Sequence, residues 1–251
     1  MSINEVRYLP ECGSTNAYVK EHFEEFGPVG AVYTENQTAG RGRLGRSWVN
    51  AEGKALYYTV AIREPLAQPA TLPLLASLAV RDQLAQRYGV DCRIKWPNDL
   101  VLGGRKLAGI LTEMSLEGES GHVSHVVVGI GINVHQQPED FAGEVADIAT
   151  SLDLSLDGRV CRAQLAVALL EEMDYLRREV LFAPERWLAD YRAACLNVGR
   201  TVCLLRGDTR ETVQALRIDE RYGLVVRHED GTEETVRSGE VSVRGLYGYT
   251  E

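Results

Sequence analysis

The segment Gly40-Arg41-Gly42-Arg43-Leu44-Gly45-Arg46 sets three glycines among three arginines, and Trp48 follows two positions on. Glycine lets a backbone reach positive φ and approach a ligand closely, leaving N–H groups exposed to an anion. Arginine adds forked donors that match phosphate or carboxylate. No acidic residue lies between Glu35 and Glu52, so nothing nearby in sequence cancels this positive charge. Composition alone leaves two other readings open, a solvated flexible loop or an RGG-like RNA-binding tail, although such tails repeat and this segment does not. Gly40-x-x-x-x-Gly45-Arg46-Ser47 also mimics a P-loop, with arginine in place of lysine. A P-loop runs from a strand directly into a helix. This segment runs into Trp48, Asn50, Gly53 and a strand, which excludes it.

Three further segments carry polar groups suited to chemistry. Lys95-Trp96-Pro97-Asn98-Asp99 offers a cation, a ring, a turn, an amide and a carboxylate in succession. The amide suits an adenine edge, and Asp99 suits a Mg²⁺ beside phosphates. An ordinary Pro-Asn-Asp turn with a packed tryptophan fits equally well. In Gly104-Arg105-Lys106-Leu107-Ala108-Gly109-Ile110-Leu111, Lys106 opens a strand and Gly109 permits close approach of a ligand or backbone; a hairpin with an exposed lysine is the alternative. Gly129-Ile130-Gly131-Ile132-Asn133-Val134 resembles the start of a dinucleotide fingerprint, but Val134 replaces the third glycine and no helix opening follows. Its alternate glycines leave one strand face bare, as for a flat ligand. His122 and His125 fall on opposite faces of a strand and do not form half a metal site. No nucleophile elbow or triad signature is present.

The elements that must position these residues can be read from periodicity. Helices are predicted over 17–26, with Ser14 or Thr15 as N-cap, and over 71–88, 160–175 and 185–194. Strands are predicted over 30–34, 56–62, 92–95, 100–102, 106–114 and 122–134, the last buried on both faces. From residue 201 short apolar segments alternate with the turns Gly207-Asp208, Tyr222-Gly223, Asp230-Gly231 and Ser238-Gly239, predicting about five antiparallel strands in a small barrel. The expected organisation is α+β. Residues 1–196 form a domain with a mixed sheet flanked by helices, and residues 197–251 form a small β-barrel.

Composition narrows the function classes. With 45% apolar and 25% charged residues, the chain is a globular protein of ordinary mix. Its net charge of −9 argues against general affinity for nucleic acid or anionic membrane. No apolar run is long enough to span a membrane, and the first residues lack a signal-peptide pattern. The five cysteines form no C-x-x-C pair, as for reduced thiols in the cytoplasm.

In order and spacing these segments together resemble the biotin–protein ligase family. The resemblance runs through Ser14-Thr15-Asn16, Gly40 to Trp48, Lys95 to Asp99, Arg105 to Leu111, Gly129 to Asn133, and Gly239 to Arg244 in a C-terminal SH3-like domain. Leu44 stands where relatives often carry another basic residue, a change that removes no glycine. The resemblance implies a catalytic domain like that of biotin and lipoate ligases. It also implies a two-step reaction with Mg²⁺ and ATP: biotin is activated as biotinyl-5′-adenylate, then passed to a lysine of a biotin carboxyl carrier protein. It implies roles as well. Lys106 bridges carboxylate and α-phosphate, with Arg43 as its catalytic companion. Ser14, Thr15, Asn16, Gln37, Gly40, Arg41, Gly42, Gly109, Gly129 and Gly131, with Arg43 and Lys106, hold biotin. Arg43, Arg46, Trp48, Lys95, Asn98, Asn133 and Arg244 contact ATP, Glu240 lies nearby, and Asp99 serves the metal. The arginine loop is expected to order over the adenylate and exclude water.

Relatives with an N-terminal helix-turn-helix repress transcription. Only thirteen residues precede Ser14, so an enzyme without DNA binding is expected. Relatives include monomers and dimers, and an exposed strand of the mixed sheet suits a homodimer. The nearest rival is a lipoate–protein ligase, which would lack the arginine loop together with the small barrel. A non-catalytic biotin or nucleotide sensor is a second alternative, and an RNA-binding protein a third, which the net charge disfavours.

Overall fold

The structure of the protein, a computed structural model, describes residues 5–62, 71–117, 122–156, 160–179, 183–237, 242–245 and 249–250. Gly239 and Glu240 lie outside these residues.

Seven strands form the larger sheet: β1 (Glu5–Leu9), β2 (Val29–Thr34), β3 (Ala55–Ile62), β4 (Arg93–Lys95), β5 (Asp99–Leu102), β6 (Arg105–Glu117) and β7 (His122–Asn133). Their order is β1-β2-β3-β7-β6-β5-β4. β1 and β2 are parallel, and every other neighbouring pair is antiparallel. The sheet is therefore mixed, as predicted.

Among the described residues four α-helices accompany it: α1 (Thr15–Glu21), α2 (Leu72–Tyr88), α3 (Arg162–Glu179) and α4 (Pro184–Ala194). α2 begins with Pro73 in its first turn, where a missing N–H costs nothing, and ends at Gly89 in the left-handed region at φ 67°. One face of β3, β6 and β7 packs its Tyr58, Val60, Ala108, Ile110, Val128 and Ile130 into a cluster with Leu75 and Leu78 of α2 and Leu165 and Leu169 of α3. On the opposite face, Val19 of α1 joins Phe23, Phe26, Val32, Ala61 and Val127. The centre of β7 is accordingly buried on both sides, which accounts for its continuous apolar run.

Two predictions needed correction. β1 was not predicted; its exposure alternates poorly, and only pairing with β2 defines it. The first helix ends at Glu21 instead of residue 26, with a 3-10 turn at Phe23–Glu25. Ser14 occupies its N-cap position, but no side-chain cap bond forms.

The second sheet comprises β8 (Thr201–Arg206), β9 (Thr209–Ile218), β10 (Leu224–Arg227), β11 (Glu233–Val236) and β12 (Ser242–Arg244). They are antiparallel in the order β11-β10-β9-β8-β12, consistent with an SH3-like domain. The two sheets are separate ladders with one continuous apolar cluster. Trp96, 1% exposed, is bonded to residues on both sides of the second sheet's first strands. Its backbone N–H donates to Asn197 Oδ1 at 2.7 Å, and its indole N–H donates to Tyr222 O at 3.0 Å. Truncating so large a buried ring to alanine costs about 3–5 kcal/mol. The packed-tryptophan reading of residues 95–99 therefore holds: Trp96 anchors the turn that presents Asn98 and Asp99.

Candidate active site

The glycines predicted to leave a strand face bare do so. Register places Thr59, Gly129 and Leu111 in one row across β3, β7 and β6, and Tyr57, Gly131 and Gly109 in the next. Parts of the protein itself lie flat against them. A Cβ at Gly129 would collide with the Asn16 carboxamide. A Cβ at Gly109 would fall 2.7 Å from the Trp48 ring, and one at Gly131 would fall 3.0 Å from it. Above this floor is a cavity of about 410 Å³ lined by every described residue predicted for the site except Gly40. Gly40 is set back, where a Cβ would meet Gln37 Nε2 and Trp48 O at 2.8 Å.

One end of the cavity is a buried hydrogen-bond reader. Gln37 Oε1 accepts from the Thr15 N–H at 2.9 Å and lies 3.1 Å from its hydroxyl. Thr59 Oγ1 lies 2.8 Å from Thr15 Oγ1 and 2.7 Å from Asn16 Oδ1. Asn16 Nδ2 donates to Glu113 Oε2 at 2.7 Å, and Lys20 Nζ holds Glu113 Oε1 at 2.7 Å. Burial pushes the Glu113 carboxyl up, but the bonds from Lys20 and Asn16 outweigh it and hold it below its usual range. Thr59, Glu113 and Lys20 were not predicted. On a strand or helix exterior they read as ordinary residues, and only the fold brings them to Asn16.

The middle of the cavity is cationic. Among the described residues, Arg41, Arg43, Arg46, Lys95, Lys106 and Arg244 line it against two carboxylates, Asp99 and Asp140. Lys54 Nζ already holds Asp140 at 2.6 Å. The arginine loop folds back on itself: Gly42 N–H donates to Arg46 O at 2.7 Å and Trp48 N–H to Gly40 O at 3.0 Å. Leu44 at its tip has φ 57°, a conformation that favours glycine or asparagine. Arg43 Nη1 donates to Asn98 Oδ1 at 3.0 Å, and Asn98 Nδ2 donates to Ile110 O at 2.6 Å. Asn98 thus ties the loop to β6.

Asp99, predicted at a metal, is engaged otherwise. Lys106 Nζ lies 2.7 Å from its Oδ1, Lys95 Nζ 4.0 Å from its Oδ2, and Tyr249 O–H donates to that Oδ2 at 2.5 Å. Burial raises the carboxyl, yet Lys106 and Lys95 overcome it and hold it at about 2. The same burial drives Lys95 down to about 8, against the pull of Asp99. No group of three or more His, Cys, Asp or Glu arranged for a metal occurs among the described residues. A carboxylate already shared by two lysines and a phenol does not fit a resident Mg²⁺.

The far end was only partly predicted. Asn133 lines it, but its amide is engaged by the protein: Nδ2 donates to Thr150 O at 3.0 Å, and Oδ1 accepts from Gln136 at 2.9 Å. It holds in place residues 136–149, from which Phe141, Val145 and Ile148 complete an apolar wall. That segment has no periodicity, so nothing in the sequence marked it. His125 stacks on Phe23 at 4.1 Å between ring centres.

The model of the biotin/lipoate A/B protein ligase family matches residues 9–133. The chain is 34% identical over 230 residues to the bifunctional ligase/repressor BirA of Bacillus subtilis, covering 89% of this chain and 70% of that protein. It is 33% identical over 242 residues to the biotin–[acetyl-CoA-carboxylase] ligase of Mycobacterium tuberculosis, covering 93% and 86% respectively. Among solved structures it is similar to the biotin protein ligase from Aquifex aeolicus in complex with biotin and ATP. That likeness has TM-score 0.83 and 28% identity over 97% of this chain and 100% of that one.

Proposed function

The chain belongs to the biotin–protein ligases of the biotin/lipoate A/B protein ligase family, and from that premise we infer that it joins biotin to a lysine of a biotin carboxyl carrier protein at the expense of ATP. One observation carries the reading: a single cavity joins a buried hydrogen-bond reader at Thr15, Asn16 and Gln37 to a cluster of six cations. The first suits a neutral ureido ring; the second suits a carboxylate brought against a triphosphate.

The chemistry follows from that layout. Attack of the biotin carboxylate on the α-phosphate brings an anion to a polyanion, so cations must screen repulsion and stabilise the crowded transition state. Lys106 bridges carboxylate and α-phosphate, Arg41 and Arg43 cover the acyl-phosphate, and Arg46 reaches the leaving pyrophosphate. Ser14 joins the biotin reader, while Trp48, Asn98, Asn133, Lys95 and Arg244 frame the nucleotide. In the second step the carrier lysine attacks the acyl carbon and AMP leaves. Mg²⁺ enters with the substrate Mg-ATP, since Asp99 Oδ2 is already held by Tyr249.

We further propose that residues 1–196 and 197–251 are the two domains, and that the chain pairs as a homodimer. β6 runs well past its last pairing with β5 at Gly109, so residues 111–117 have no strand neighbour on that edge among those described. Five free cysteines fit a reducing cytoplasm. No helix among the described residues is long and apolar enough to cross a membrane. Exchange of pyrophosphate into ATP driven by biotin, and not by lipoate, is the test of the activity. Exchange driven by lipoate alone would overturn it.

A further inference from the structure

Asp99 poses a problem for adenylation. To bridge two substrate anions, Lys106 must leave the carboxylate it holds at 2.7 Å. A buried carboxylate that loses its partner is strongly unfavourable. It also becomes a rival anion, drawing the lysine back from the phosphate. Asp99 therefore needs partners that stay when Lys106 goes.

Tyr249 is placed to be that partner. Its hydroxyl donates to Asp99 Oδ2 at 2.5 Å, the length of a charge-assisted bond. That is the oxygen Lys106 does not hold. The ring lies 4.2 Å below Lys95 Nζ and 5.3 Å from the Arg244 guanidinium, so one phenol touches three of the site's charged groups. Its own position is fixed. Tyr249 is buried with Val101 and Leu196. The adjoining Thr250 donates its hydroxyl to Gly104 O at 3.0 Å and accepts from Arg200 at 3.1 Å. Thr250 is thereby fastened to the β5–β6 turn, which joins the strand that Asp99 opens to the strand that carries Lys106.

We propose, on the basis of the adenylation reading, that Tyr249 is a positioning residue for adenylate formation: by holding Asp99 Oδ2 it keeps the carboxylate back, which frees Lys106 to transfer from Asp99 to the substrate anions. Lys95 assists from the same side.

The test is a double-mutant cycle read by biotin-dependent ATP–pyrophosphate exchange. Y249F keeps the ring and its cation contacts and removes only the hydroxyl. Its kcat should fall by about tenfold, the size of one charge-assisted hydrogen bond. KM for ATP should rise and biotin affinity stay near wild type, beside the modest fall in Tm that loss of a bond to a buried carboxylate brings. In a D99N background, where no carboxylate competes for Lys106, Y249F should add no further loss. Y249F with wild-type kinetics, or losses from Y249F and D99N that multiply independently, would overturn the role. A loss confined to Tm would overturn it also. If the wild-type protein itself gives no exchange, the adenylation reading fails first; wild-type exchange with an unaltered Y249F refutes the role of Tyr249 alone.

Discussion

The Asn16 carboxamide lies against β7 at Gly129, so close that a Cβ there would overlap it. The contact ties the first turn of α1 to the centre of the sheet and leaves both ends of the amide committed, to Thr59 and to Glu113. Gly129→Ala should therefore displace the reader without disturbing the core on the other face. Biotin affinity measured by calorimetry should fall on the order of a hundredfold, because Asn16 aligns the Thr59 and Thr15 hydroxyls and their loss of place is worth about two hydrogen bonds to a buried ligand. Tm should change little. Undiminished biotin binding would remove Asn16 from the reader.

Lys106→Ala should lower adenylate formation by roughly a thousandfold, the scale of losing one preorganised charge at a transition state. Docking of the biotin carrier should change far less. An unchanged rate of biotin-dependent pyrophosphate exchange would take Lys106 out of the chemistry.

Arg43→Gly should speed escape of the adenylate to solvent, because Arg43 both covers the cavity and fastens its loop to Asn98 at 3.0 Å. Biotin should then appear on bystander lysines of an added protein, counted by mass spectrometry. Labelling confined to the carrier would refute the retention role.

Lys95 separates stability from activity. Its folded-state pKa is lowered from 10.5 to about 8 by burial. Below about 8 the lysine is charged in both states, and burying that charge costs stability; above 10.5 it is neutral in both and the penalty is gone. Measured in a D99N background, which leaves no buried carboxylate unpaired, Lys95→Met should therefore stabilise the protein by about 1–3 kcal/mol at pH 7. The gain should fade as pH rises between the two pKa values, while KM for ATP increases. Denaturant titration across that pH range checks the sign. A variant destabilised at pH 7, or a gain that grows with pH, would show that Lys95 is better paired than its burial implies.

Most of the site was legible because the glycines, the arginines, Lys106 and the Ser14-Thr15-Asn16 group lie in short local patterns whose chemistry does not depend on distant partners. What the sequence could not supply was contact across the fold. Asp99 in a motif of polar residues invites assignment to a metal, and only the β5–β6 hairpin brings Lys106 against it, seven residues on. Thr59 looks like any β-branched strand residue until Asn16 meets it. Tyr249 reaches Asp99 from 150 residues away. β1 is a short edge strand without alternation, and residues 136–149 form a wall through shape instead of periodicity.

Biotin transfer is tested most directly by incubating the protein with biotin, Mg-ATP and a purified biotin carboxyl carrier domain, followed by intact-mass analysis of the carrier and quantification of the nucleotides. The expected result is one biotinyl group on one carrier lysine, with AMP and pyrophosphate released in equal amounts. A carrier that stays unmodified while biotin and ATP are bound, or that accepts lipoate in place of biotin, would contradict it.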